Sequence, residues 1–437
     1  MLESPDQVNF FDPEVNRCPY PAYQVLRDQA PVWKDPTTGM FVITRHDDIR
    51  KILLDPERFT NRVGSAAGMT EKAVRVDEPL DPEEARARAE AAEWDQKIAN
   101  LYVEKGWPTV PTLDALDPPL HMQLRRMFDH AFRPGRIKEL DPFVENLANR
   151  LIEGFIDDGR CEWVQQFAVP VPLYTIGRQM GVPEEDMPRI KAWTDAWVQR
   201  LGLAQTPEER MWSAEKEIEA QHYFQPIFDR LREHPEDTLL SDLVNKEIPE
   251  WGRKLTDNEL HSEMMADFFV GGSETTTNAL SAGLVILIQH PELWERLSSD
   301  LETHLPVFVE EVVRVEGPVQ GLLRETAVDV ELHGVTIPAG SVVNLRFAAG
   351  NRDERHFTCP DQVDLDRKHS KMHLAFGAGG HFCLGAPLAR RELYFGFKAL
   401  FERIEEVWFI EGANDFDYHP NYFLRSLKEL HVGFRPR

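Results

Sequence analysis

HLAFGAGGHFCLGAPLARREL, from His373 to Leu393, sets one cysteine among glycines and follows it with a helix-forming run. Gly377, Gly379 and Gly380 precede Cys383, and Gly385 follows it. Residues without a Cβ permit positive φ and let the backbone approach a flat group closely. Backbone N–H groups can then point at the sulfur. A helix starting within Leu384 to Leu393 would set its positive end beside a thiolate and favour the ionised form. Cys383 is therefore a candidate iron ligand. Cys18, Cys161 and Cys359 have no such surroundings and read as ordinary small apolar side chains.

The run resembles the cysteine loop of the cytochrome P450 superfamily, F-x-x-G-x-(R/H)-x-C-x-G. Phe376, Gly379, His381, Cys383 and Gly385 fill every fixed position in order. The resemblance is to the bacterial soluble class. It implies a mainly α fold with small β sheets, a single domain over residues 1–437, and heme b (iron protoporphyrin IX) between a long central helix and the helix after the cysteine. In that role an axial thiolate pushes electron density onto iron and favours O–O cleavage. Phe376, His381 and Gly385 would surround the cofactor.

Upstream, KLTDNELHSEMMADFFVGGSETTTNALSAGLVILIQHP has Thr256 and Glu259 at capping-box spacing and closes before Pro291. The reading is one helix of roughly 33 residues, about 50 Å long. Gly271 and Gly272 weaken it by about 1 kcal/mol each relative to alanine. A Gly-Gly pair alone would mark a notch where another helix packs closely. With Glu274 and Thr275 beside it, the pattern resembles the family's widened helix next to heme. That resemblance implies a hydrogen-bonding role for Thr275, a proton-relay role for Glu274, and dioxygen rather than peroxide as oxidant. Asp267, one turn before Gly271, shares its face and is expected to touch substrate; pairing elsewhere is the alternative.

FVEEVVRVEGPVQ carries Glu311 and Arg314 on one helical face, the position of the family's structural E-x-x-R pair. Taken alone, such a pair is more often a solvated contact; among Val309, Val312 and Val313 it reads as buried. NRDERHFTCPDQVDLDR, Asn351 to Arg367, resembles the meander segment in wording close to camphor-hydroxylating members. Where the family often completes the network with Arg or His, this sequence offers Gln362.

Heme has two carboxylates that need cations or hydrogen-bond donors. The resemblance points to His121 and Arg125 in HMQLR, Arg324 and His381 for them, with Gly271 beside the ring and His373 as a weaker candidate. RRMFDHAFRPGRIK gathers Arg125, Arg126, Arg133, Arg136 and Lys138, a basic patch suited to an acidic electron carrier. No flavin or iron-sulfur module follows Cys383, so electrons are expected from outside, from a ferredoxin with its reductase or from flavodoxin. Phe268, Phe269, Val319, Leu322, Leu323, Phe423 and Leu424 read as an apolar wall for a terpenoid-, steroid- or aromatic-sized substrate.

The rest of the chain agrees. AYQVLRDQ followed by GMFVITR reads as a helix beside a hairpin, a β region at about 21–61. Thr70 to Gly106 is a charged, alanine-rich stretch read as a surface helix that covers the pocket or binds a partner. Residues of about 120–316 form the helical core, and about 317–350 a second sheet region built on TAVDVELHGVTIPAGSVVNLRF. With 49 Lys and Arg against 74 Asp and Glu, the net charge of −25 repels phosphate backbones and excludes nucleic-acid binding. The N-terminus shows neither a signal-like pattern nor a bilayer-length apolar run, so a cytoplasmic protein without membrane insertion is expected. Against a monooxygenase stand a peroxygenase or isomerase, disfavoured by Glu274 and Thr275, and a heme-binding sensor, which would be expected to carry an output module.

Overall fold

The computed structural model describes residues 2–63, 82–129, 132–202 and 205–437. In chain order the helices used below are α1 (Tyr20–Gln29), α2 (Pro82–Lys105), α3 (Leu120–Asp129), α4 (Asp141–Glu153), α5 (Pro170–Met180), α6 (Met187–Leu201) and α7 (Pro207–Glu233). A continuous α8 follows, made of an α run Asp257–Glu263, a π run Met264–Val270 and an α run Gly271–Gln289. Then come α9 (Leu301–Val315) and α10 (Ala386–Arg403). Among the described residues no helix is long and apolar enough to cross a membrane.

The caps explain where the central helix begins. Thr256 Oγ1 accepts from the Glu259 N–H at 3.3 Å and Glu259 Oε2 accepts from the Thr256 N–H at 2.7 Å, so α8 starts on the expected reciprocal cap. It runs without interruption to the residue before His290 and Pro291, as its sequence pattern implies. Its interior is not uniform. The π run ends at Gly271, the point at which the two glycines weaken the helix, and such wide turns inside α-helices recur at functional sites. Leu280, Leu284 and Leu287 bury the other end of α8 in the main core with Phe308 of α9 and Phe397 of α10.

The strands pair in a way the two separate β regions do not reveal. β1 (Val32–Lys34) and β2 (Phe41–Ile43) form the expected antiparallel hairpin, with Val32 opposite Ile43. Yet β2 also pairs in parallel with β8 (Val342–Leu345), Phe41 opposite Val343, and β8 pairs with β5 (Leu322–Thr326). With β3 (Phe59–Thr60) at its edge, one five-stranded sheet in the order β1-β2-β8-β5-β3 joins both β regions. The separate second sheet expected after the helices is thus corrected: only the hairpin of β6 (Val330–Leu332) and β7 (Val335–Ile337) stands apart from it. A further sheet, β4 (Arg160–Glu162), β10 (His431–Pro436) and β9 (Ile404–Phe409), ties the C-terminus to the segment after α4.

Of the charged stretch read as a surface helix, residues 82–105 form α2, which packs on α7; Thr70 to Asp81 lie outside the described residues. Tyr102 of α2 is buried and donates to Glu217 of α7 at 2.7 Å, while Arg200 of α6 pairs with the same carboxylate. Val103 stays 71% exposed, so only one edge of α2 is anchored.

Candidate active site

A cavity of about 360 Å³ lies between α8, the loop before α10, β5 and α3. All but Phe269 and His373 of the residues singled out above for heme, oxygen or substrate contact line it, with Cys383, Phe376, His381, Gly385, His121, Arg125 and Arg324 on one side. Gly271, Glu274, Thr275, Asp267, Phe268, Val319 and Leu322 complete the set. Leu323, Phe423 and Leu424 line it too. Phe269 does not; it is fully buried and packs on Phe224 of α7, an ordinary core residue.

The cysteine loop has the geometry its glycines suggest. Gly377 and Gly379 take positive φ, +68° and +72°. At Gly379 a Cβ would come within 2.6 Å of the Leu53 carbonyl oxygen, so any side chain there would displace the backbone. Gly380 and Gly385 have no such requirement. The Cys383 N–H donates to the Phe376 carbonyl at 2.9 Å, closing the loop. Burial pushes the Cys383 thiol up, while the N–H groups of Gly385 and Ala386 at the start of α10, with Arg125 and Arg390 farther out, pull the other way. The loop thus sets backbone N–H groups against the cost of burying the sulfur; a coordinated metal ion deprotonates such a group outright.

Around the rim, buried nitrogen atoms lie without protein partners. His121 is 1% exposed and stacks on His381 with ring centroids 3.7 Å apart. Both ring nitrogens of His121 and Nε2 of His381 have no hydrogen-bond partner among the described residues. Burial first, then Arg125, lowers His121 to about 4; burial first, then His121, lowers His381 to about 2. Arg324 is buried and donates to its neighbour's carbonyl, Leu323 O, at 2.6 Å, and burial lowers it to about 10. Arg125 reaches the Gly380 carbonyl at 3.3 Å and Asp129 at 3.1 Å. Buried donors left unsatisfied are costly, so this set fits a ligand with acidic groups at its edge, and the two propionates of heme fit it. His373 is corrected: it does not reach the cavity, and its Nε2 lies 3.0 Å from Glu310 on α9.

On the opposite wall the two glycines of α8 divide their roles. A Cβ on Gly272 would meet Ile176 of α5 at 3.1 Å, so Gly272 is the packing notch. Gly271 faces the cavity, where a Cβ would meet only ordinary contact, 3.6 Å from the Ala266 carbonyl. The Thr275 hydroxyl donates back to the Gly271 carbonyl at 3.1 Å. Glu274 is 6% exposed and accepts from Lys191 Nζ at 3.1 Å and from Thr194 Oγ1 at 3.4 Å, both on α6. Burial raises the Glu274 carboxyl and Lys191 opposes the rise. No spacing in the sequence linked Lys191 to Glu274, because the contact joins helices far apart in the chain.

Beneath the cysteine loop the E-x-x-R pair is buried rather than solvated. Arg314 and Glu311 are both fully buried and form a two-point contact at 2.7 and 2.8 Å. The third member is corrected: Arg367, 2.9 Å from Glu311, completes the network, while Gln362 supplies its backbone carbonyl to Arg314 at 2.7 Å. Arg367 closes the same quoted segment, and only the fold of the meander brings it back over α9.

Comparison with known proteins agrees with this geometry. The family model described as Cytochrome P450 matches residues 202–406. The chain is 32% identical to Cytochrome P450 CYP107DY1 of Priestia megaterium, covering 90% of this chain and 89% of that protein. It is 32% identical to Vitamin D(3) 25-hydroxylase of Pseudonocardia autotrophica, covering 99% and 98%. The solved structure of Cytochrome P450 CYP109Q5 from Chondromyces apiculatus superposes with a TM-score of 0.79 at 30% identity, over 98% of each chain. The chain belongs to the cytochrome P450 family: it is a heme b enzyme and a heme-thiolate monooxygenase that draws on redox partners to oxidise an organic substrate.

Proposed function

We propose that in this cytochrome P450 Cys383 is the iron ligand, that His121, Arg125, Arg324 and His381 hold the heme propionates, and that Glu274 and Thr275 manage protons on the opposite face. The observation that carries this reading is the single cavity with the cysteine loop on one wall, the Gly271–Thr275 turn on the other and partnerless donors at the rim between them. Phe376 and Gly385 would border the bound cofactor, and Gly271, which lacks a side chain, would leave room on the other wall.

When bound, heme supplies the redox-active iron at which dioxygen is activated once electrons arrive. The protein's own groups do the rest. The Cys383 sulfur, facing the N–H groups of Gly385 and Ala386, would hold the iron and supply it with electron density. The Thr275 hydroxyl, now turned to Gly271 O, is placed to hand a proton into the cavity and take one back from the α8 side. Glu274, raised by burial and accepting from Lys191, is the group in the same turn that can take up that proton and pass it on. Phe268, Val319 and Leu322 form an apolar wall that keeps water out and receives the body of a small or medium apolar molecule.

For the redox partner we infer an acidic ferredoxin served by its reductase, with flavodoxin as an acceptable substitute. The basic patch is narrower than its sequence suggests: Arg126 pairs with Glu250 and Arg136 with Asp237. Arg133 and Lys138 are exposed and form no ion pair among the described residues, so docking rests on them. Reversing Arg133 to Glu should slow partner-driven reduction more than reduction by dithionite; equal slowing removes this face from the reading.

The decisive experiment is the carbon monoxide difference spectrum of the reduced protein, wild type and Cys383→Ala. A long-wavelength Soret band lost on substitution supports the ligand assignment. A band typical of histidine-ligated heme in the wild type overturns it.

A further inference from the structure

Three carboxyl groups meet on the cavity wall away from the cysteine loop. Asp114 comes from the segment before α3; Glu263 and Asp267 come from α8, four residues apart on either side of the α-to-π transition. Asp114 and Asp267 line the cavity. Glu263 is 2% exposed, and its Oε1 accepts from the Leu113 N–H at 2.9 Å while Oε2 lies buried without a partner. Asp267 sits against Thr112 and the N–H groups of Leu113 and Asp114, yet its Oδ2 is also buried and partnerless. Asp114 accepts from Thr112 Oγ1 at 2.5 Å and opens to the cavity.

No described lysine or arginine forms an ion pair with any of the three. Arg324, on β5, is the cation that acts on Asp114, from a distance and without bonding it. Burial first, then Asp267, raises Asp114 to about 8; burial first, then Asp267, raises Glu263 well above its ordinary value. The apolar residues of the same cavity, Phe268, Val319 and Leu322 among them, offer these groups no counter-charge. Glu263 is buried, Asp267 half-buried and Asp114 open to the cavity; once a ligand fills the cavity and displaces its water, carboxyls without a protein cation are expensive unless something else compensates them.

We propose that the substrate of this enzyme is amphiphilic and carries a positively charged nitrogen, which Asp267 and Asp114 hold while the apolar wall holds its carbon body. The proposal rests on the cavity being the substrate pocket and goes beyond it by naming the group that orients the molecule. Glu263 is a positioning residue here: it lies against Asp267 and fixes the segment that carries Asp114.

A matched pair of probes isolates the charge. Phenyltrimethylammonium and tert-butylbenzene have nearly the same shape, and neither has a lone pair on its alkyl head to bind iron. Affinities are measured on the heme-loaded protein by calorimetry and by the Soret shift. The wild type should bind the charged probe about tenfold more tightly, a difference of about 1.4 kcal/mol. Asp267→Asn with Asp114→Asn should bring the two probes to parity or invert their order, with an unchanged carbon monoxide spectrum. Charged-probe affinity in the wild type should rise about fivefold from about pH 6 to about pH 9, as protons leave Asp114, while the neutral probe stays constant. That profile also decides the matter if the double variant does not fold.

Val319→Trp narrows the apolar wall and should weaken both probes. Equal affinity for both in the wild type, or a flat pH profile, with both still weakened by Val319→Trp, overturns the charged nitrogen and leaves the pocket standing. A preference that survives the double substitution also overturns it. Probes that ignore Val319→Trp, or that do not bind at all, overturn the pocket reading together with this one.

Discussion

The charged groups below the cysteine loop are sealed in protein, whereas on the far wall Asp114 opens to the cavity and Asp267 is half-buried, and the two sets are treated in opposite ways. Below the loop every charge has a protein partner: Glu311 with Arg314 and Arg367, Glu310 with Arg390 and His373. On the far wall Asp114, Glu263 and Asp267 have only backbone N–H groups, a threonine and one another. A network satisfied from within fixes a single arrangement and is suited to holding a cofactor rigidly. A set left unsatisfied is a place where the protein expects its partner from solution. The difference separates scaffold from specificity inside one core.

The comparison can be broken at several points. Cys383→Ala should have the largest effect, removing product formation altogether while leaving circular dichroism in the helical region unchanged; retained turnover with oxygen and reductant would remove the cysteine from the chemistry. Next, Arg314→Ala strands a fully buried Glu311 and should cost about 3 to 5 kcal/mol in urea unfolding. Adding Glu311→Gln should return part of that loss, whereas a loss below about 1 kcal/mol would mean that the pair is no scaffold.

On the far side of the heme, Thr275→Ala should lower product formed per minute by about 10²-fold without shifting the melting temperature. An unchanged rate would leave Glu274 to act without it.

The pH dependence should take opposite signs in the two regions. Burial would raise Glu310, but hydrogen bonds from His373 and Arg390 outweigh it and hold the carboxyl at about 2. A depressed carboxyl contributes stability present above its unfolded value and lost as pH falls toward the folded one. Glu310→Gln should therefore flatten stability between about pH 5 and about pH 2. Asp114, raised to about 8, does the reverse: its contribution is whole below the unfolded value near 4 and is lost as pH rises through 8. Asp114→Asn should flatten stability between about pH 4 and about pH 8 and leave the limb below about pH 4 alone. Identical slopes in both variants would erase the distinction. The smallest effect is expected of Asp267→Asn, which removes a charge that has no protein cation and should change stability by no more than about 1 kcal/mol, in the stabilising direction above neutral pH. A loss as large as that of Arg314→Ala would place Asp267 in the scaffold.

What could be read from the sequence was whatever a contiguous run decides for itself. The loop around Cys383 is legible because its glycines shape the backbone locally: at Gly379 the positive φ and the 2.6 Å approach to Leu53 O exclude any other residue. Glu311 and Arg314 lie one turn apart, and Thr256 and Glu259 cap the helix they begin, so periodicity alone pairs them. The tertiary structure alone decided the pairings between distant segments. It joined β2 to β8 across 300 residues of chain, put Arg367 where Gln362 was expected, tied Glu274 to Lys191, and brought Asp114 to Asp267. The reason is physical: a local motif reports its own dihedral and spacing constraints, whereas the partner of a buried charge is set by which helices pack together, and that packing follows from the whole core.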